Sequence, residues 1–92
     1  MDKFATIGDE VQADDGKLWY IGTLASYVDG AITLDNPVPL YDEEGGINQK
    51  EYHSRQPSLT FKPLAVWKYG PDPRPTFTWH RNDKQPLSVR ER

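Results

Sequence analysis

The chain has 92 residues, no cysteine and a net charge of −3, with ten acids and three bases in residues 1 to 50 and four acids and eight bases in residues 51 to 92. That length encloses one core; the missing cysteines exclude a disulfide framework and thiolate metal sites and favour a reducing cytoplasm, and the lack of a basic leader or a bilayer-length apolar run speaks against export or a membrane span. The uneven charge describes either the solvated faces of a soluble domain or an electrical polarity that could pair molecules head to tail or offer a basic patch to an anion.

Prolines at 37, 39, 57, 63, 71, 73, 75 and 86, with glycines between them, leave no room for a long helix, so the pattern is all-β. Residues 2 to 7 can form one short N-terminal helical turn. A first strand is expected over 7 to 13. Asp15 and Gly16 then form a two-residue type I′ loop that sets Ala13 opposite Leu18 and Val11 opposite Tyr20. The second strand, 18 to 28, is long and carries Gly22 in its middle, where the missing side chain permits a sharp bend. The next turn offers two registers. A two-residue Asp29-Gly30 loop places Leu24 on the face opposite Ile32 and Leu34. A three-residue loop with Gly30 as a bulge pairs Leu24 with Leu34 and Ser26 with Ile32, and it is preferred because it gathers the aliphatic residues. The expected core is Val11, Ala13, Leu18, Tyr20, Leu24, Ile32 and Leu34.

Residues 36 to 57 read as a long loop rich in Pro, Gly and charge, with a short extended piece over 38 to 41. Their Asp-Glu-Glu-Gly-Gly centre lacks the alternating oxygen ligands of an EF-hand, so no metal site is expected. Residues 58 to 69 form a further strand that Pro63 interrupts as an edge, bulge or break. Residues 70 to 75 are a stiff proline turn, and 76 to 80 complete a five-stranded domain spanning 1 to 80. Residues 81 to 92, with no apolar period, are expected to be a frayed basic tail.

Five strands with a bent second strand and tight early hairpins describe a small, strongly bent barrel of the SH3-like kind. Within 14 to 34, Gly16, Gly22, Leu24, Tyr27, Asp29, Ile32 and Leu34 resemble the first Sm motif of Sm and Lsm proteins. The resemblance implies a bent five-stranded barrel that assembles into homo-oligomeric rings, with strands four and five of neighbours continuing one sheet and RNA bound around the pore. In that family the loop after the second strand ends in an Asn that contacts a base; here the turn carries Asp29 and Gly30, with no Asn before Ile32. The family's second motif has an aliphatic-Arg-Gly step between strands four and five, where this chain offers Tyr69, Gly70 and a proline turn whose one base is Arg74.

For catalysis the chain offers little. His53 and His80 are placed beside no activated nucleophile, Ser54 points away from His53 if the segment is extended, and the paired carboxylates fall in loops, so neither an enzyme, a cofactor nor a small-molecule substrate is expected. The aromatic residues are more informative, since Leu18 and Tyr20 facing inward send Trp19 and Ile21 to the other surface. Trp19, Trp67, Tyr69 and Trp79 are candidates for an oligomer interface. The alternative is a base-stacking platform, with Lys68, Arg74 and Arg81 as the flanking cations and Asp29 in the pore-side loop. The functional expectation is an Sm-like oligomer that binds RNA or other single-stranded nucleic acid. The alternative is a protein-interaction module, of the accessory kind encoded by a phage or mobile element, with no nucleic-acid role.

Overall fold

The computed structural model describes residues 5–41, 46–69, 75–83 and 85–91, excepting the side chains of 75–77. The elements in chain order are β1 (Ala5–Thr6), β2 (Glu10–Asp14), β3 (Trp19–Val28), β4 (Ala31–Leu40), the single helical turn α1 (Gln49–Tyr52), β5 (Ser58–Phe61), β6 (Ala65–Tyr69), β7 (Pro75–His80) and β8 (Val89–Arg90). The all-β expectation holds. In place of five strands, one antiparallel sheet has six in the order β5-β4-β3-β2-β6-β7, and β1 and β8 form a separate parallel pair. The extra strand arises at Pro63, which splits the expected strand over 58 to 69 into β5 and β6 on opposite sides of the sheet.

That split bends the sheet. Four strand spacings separate β5 from β6 in the pairing order, about 19 Å if the sheet were flat. Yet only Lys62, Pro63 and Leu64 connect them, a reach of at most about 14 Å. The strands must therefore curl towards one another. Tyr20 on β3 and Phe61 on β5 lie two strands apart, and their ring centroids are 5.8 Å from each other across the concave side.

Two irregularities in the β3–β4 pairing permit the curl, one between the pairs Ile21↔Val38 and Thr23↔Asp35 and the other between Leu24↔Leu34 and Ser26↔Thr33. At the first, the extra residue lies on β4, where Asn36 has φ 50°. Gly22 sits opposite it, and a Cβ there would lie 3.0 Å from the Asp35 carbonyl oxygen and 3.1 Å from the Leu34 Cβ. Only glycine fits without moving backbone. At the second, the extra residue is Ala25 on β3.

Both hairpins differ from the expected registers. In the first, the Asp15 carboxylate accepts the amides of Lys17 and Leu18 at 2.7 and 2.8 Å, which makes a four-residue loop. Ala13 therefore pairs with Tyr20 and Val11 with Gly22. In the second, Asp29 and Gly30 both have positive φ, 53° and 81°, as a two-residue type I′ loop requires. Leu24 pairs with Leu34 as expected, whereas Ser26 meets Thr33 and Ile32 meets Tyr27.

The core on the concave side holds Ala5, Val11, Ala13, Leu24, Ile32, Leu34, Val66 and Leu87, with Ile7, Tyr20, Tyr27, Phe61, Trp79 and Val89 packed against it. Leu18, expected here, lies in the first loop and is half-buried. Neither terminus follows the expectation. Ala5 and Thr6 are strand rather than helical turn, aligned with Val89 and Arg90, and residues 1–4 lie outside the described ones. Leu87, in the expected frayed tail, is 5% exposed.

Residues 36–40, read from the sequence as the start of a loop with a short extended piece over 38 to 41, continue β4 through two buried prolines, so that extended piece is the end of the strand. Beyond Asp35, among the described residues, β4 has a strand partner on the β3 side alone, with an isolated bridge from Leu40 to Ile47. The Pro39 carbonyl accepts the Asn48 amide at 2.9 Å on the opposite side, so the proline nitrogen faces where no ladder needs a donor. Asn48 also caps α1 by accepting the Glu51 amide at 3.2 Å.

Candidate functional groove

The β3–β4 turn, the β5–β6 connection and the end of β7 meet at one end of the sheet. Tyr27, two residues beyond the second bulge, comes with the Asp29-Gly30 loop; Lys62 and Pro63 come from the short crossing; Trp79 and Arg81 follow from β7. With Pro86 and Leu87 they enclose a groove of about 480 Å³.

The groove is braced by hydrogen bonds to its own backbone. One Nη2 of Arg81 donates to the carbonyls of Lys62 and Pro63, both at 2.7 Å, and the Arg81 amide donates to Leu64 at 2.6 Å. The guanidinium thus ties the end of β7 to the crossing while staying exposed. Trp79 donates its indole N–H to the Gln85 carbonyl at 2.9 Å, which draws the C-terminal segment across the groove. Lys62 is exposed and forms no ion pair among the described residues. The result is two aromatic rings, two cations and one carboxylate around a partly apolar trough.

Of the residues singled out from the sequence, Asp29, Arg81 and Trp79 meet here. Lys68 does not. It is half-buried on β6, 3.5 Å from the Asp9 carboxylate. Arg74 lies outside the described residues. Trp19 and Trp67 meet on the convex face, with ring centroids 5.0 Å apart and planes tilted by 54°. Beside them Tyr69 donates its hydroxyl to Gln12 Oε1 at 2.9 Å. Burial, and secondarily Glu10, pushes the Tyr69 phenol above its ordinary range. The Trp67 indole N–H is buried with no acceptor among the described residues. All three tryptophans are half-buried within their own chain, and the exposed large apolar side chains among the described residues are Val28, Tyr41 and Ile47.

Sequence reasoning missed Lys62 and gave Tyr27 no role in a site. The usable signal for Lys62 was its place before Pro63, where a broken strand run had to turn. No family model, no curated protein and no solved structure matches the chain.

Proposed function

We propose that this chain is a small Sm-like barrel domain that binds single-stranded nucleic acid in the groove between the β3–β4 loop and the β5–β6 crossing. One observation carries this reading: two aromatic rings, Tyr27 and Trp79, and two cations, Lys62 and Arg81, converge on the groove. Stacking faces flanked by cations suit bases and phosphates together. The curl forced by the three-residue crossing supports the barrel. Among the strands of the six-stranded sheet taken in chain order, the fourth and fifth are β5 and β6, joined by Lys62, Pro63 and Leu64. On this reading the counterpart of the step expected in the 69 to 74 region is Lys62, beside the loop that carries Asp29.

The overall charge of −3 opposes phosphate, so attraction must be local and salt-sensitive. Anisotropy of a labelled single-stranded RNA should weaken with salt at a log-log slope of about −1.4, for two neutralised phosphates at roughly 0.7 each. Lys62→Gln should halve that slope. No retention at low salt would remove nucleic acid from the proposal.

Self-assembly is proposed through the outer edges of β5 and β7, which carry no partner strand among the described residues; β6, the fifth strand of the sheet, is flanked by β2 and β7, so this contact differs from the four-to-five pairing that the resemblance implies. Light scattering decides it: a single-chain mass would refute the ring. A protein-interaction role is the second reading, favoured by Val28, 64% exposed beside Ile7 and Val89 around a further hollow.

A further inference from the structure

At the opposite end of β3 from the groove, the concave side opens in a second, smaller cavity of about 170 Å³. Its floor is apolar, formed by the buried Pro37 and Pro39 of β4, the Leu59 side chain of β5 and the Tyr20 ring. The two prolines offer no N–H, so this wall presents no donor to a guest. A cavity of roughly 150 Å³ accommodates a benzene-sized apolar group, so a compact aliphatic side chain fits.

The rim is charged in both senses. Glu51 of α1 and Arg55 just beyond it both line the opening, and they form no ion pair with one another. Each is held by something else. The Glu51 backbone is fixed from both sides, its amide by the Asn48 cap and its carbonyl by the Ser54 amide at 3.2 Å. Arg55 lies 3.9 Å over the centre of the Tyr52 ring and donates Nη1 to the Tyr52 carbonyl at 3.3 Å. These contacts position the guanidinium without neutralising it and, among the described residues, leave further N–H donors for a guest. Inside, burial first, then Asp15 and Glu51, raise the Tyr20 phenol above its ordinary value. It stays a protonated donor at neutral pH, and the Glu51 field reaches the cavity.

We infer that this cavity binds a free α-amino acid with a compact aliphatic side chain, its ammonium on Glu51, its carboxylate on Arg55 and its side chain on the proline floor. A ligand with charge of one sign is attracted by one rim group and repelled by the other, whereas a zwitterion meets both favourably. The inference is independent of the nucleic-acid reading, since the two sites share no residue.

The test is calorimetric and NMR titration of the full chain with L-leucine, L-valine and L-proline, alongside N-acetyl-L-leucine and L-leucinamide. At least one free amino acid should give saturable shifts at Tyr20 and Leu59 at or below about 10 mM, the weak range for so small a ligand. Each capped analogue of leucine should bind roughly tenfold or more weakly, having lost one charge-assisted contact. Glu51→Gln should abolish the discrimination against N-acetyl-leucine, and Arg55→Gln that against leucinamide. Both positions are exposed, so the variants should fold, and circular dichroism checks that they do. No saturable shift with any free amino acid, or equal binding of the capped and free forms to the wild-type chain, overturns the inference. Capture of N-acetyl-leucine as tightly as leucine would instead mark a site for a peptide C-terminus.

Discussion

Substituting Gly22 by Ala tests the close approach on which the bend of the sheet depends. The new Cβ would stand 3.0 Å from a backbone oxygen and 3.1 Å from the Leu34 Cβ, neither of them the end of a flexible side chain. Relief therefore requires β3 and β4 to separate at the first bulge. Overpacking of this kind costs about 1–3 kcal/mol, against a stability of roughly 5–14 kcal/mol for a domain of this length. At about 4–8 °C per kcal/mol, a 2 kcal/mol loss lowers Tm by roughly 8–16 °C. Gly30→Val provides the contrast. A side chain there meets nothing within 4 Å, but φ of 81° strains a β-branched residue by at least about 1–2 kcal/mol. Urea unfolding followed by tryptophan fluorescence measures both, with the m value checking that the unfolded reference is unchanged. The first penalty is steric, so enlarging the residue from Ala to Val at position 22 should deepen it. The second is torsional, so Gly30→Asn should recover most of the loss. A Gly22→Ala variant within about 0.3 kcal/mol of wild type, well below the overpacking range, would refute the close approach and the bend built on it.

Leu87→Ala should cost about 2–4 kcal/mol in the same urea assay, because the residue is 5% exposed in the core rather than part of a loose tail; a neutral result would put the C-terminal segment back in solvent. Arg81→Lys should lose about 1–2 kcal/mol, since one ammonium cannot hold the Lys62 and Pro63 carbonyls as the guanidinium does. Alkaline pH should destabilise the fold. The Tyr20 and Tyr69 phenols are raised in the folded chain, so the folded state retains protons that the unfolded state releases. Their stabilisation is complete below the ordinary tyrosine value near 10 and is lost as pH rises through the folded values. Tyr69→Phe should flatten the decline in Tm between pH 9 and 11, and an unchanged slope would discount this residue.

How far the sequence reached is clearest in the two hairpins. For the first, the expected loop was two residues too short, because the Asp15 carboxylate can cap two amides and so holds Lys17 and Leu18 in the turn. The pairing moved by two residues, an even number, so Val11, Ala13 and Tyr20 kept the face assigned to them. The second hairpin posed a conflict between turn chemistry, which favoured an Asp-Gly pair, and side-chain parity, which favoured a longer loop. The chain satisfies both by inserting Ala25 as a bulge. Nothing in Leu-Ala-Ser announces a bulge, so neither register derived from a regular ladder was complete. The prolines at 37 and 39 misled for another reason. A proline is a poor central-strand residue when ladders run on both sides, and here the proline side of β4 faces a capped turn instead of a strand.

The site was partly legible for the same kind of reason. Asp29, Trp79 and Arg81 were visible from residue type and their places at element ends, and curling brings those ends together. Lys68 was a plausible phosphate contact until the tight turn after β1 set Asp9 beside it, a tertiary pairing that no local pattern encodes. The tryptophans bear on assembly. Rings left over by a small core would press the chain to seek copies of itself, but Trp19 and Trp67 cover each other on the convex face, and Trp79 packs on the core. In the proposed assembly the contact is made instead by the outer edges of β5 and β7, which carry no partner strand among the described residues. Assembly through edges is set by hydrogen-bond register rather than by aromatic burial. A Trp19→Ala change should therefore loosen the fold and leave any oligomer's mass unaltered, whereas a proline introduced at an outward-facing amide of β5 should reduce that mass with the fold retained. If light scattering instead finds that the tryptophan variant alone dissociates the oligomer, the rings are interfacial and the edge argument is wrong.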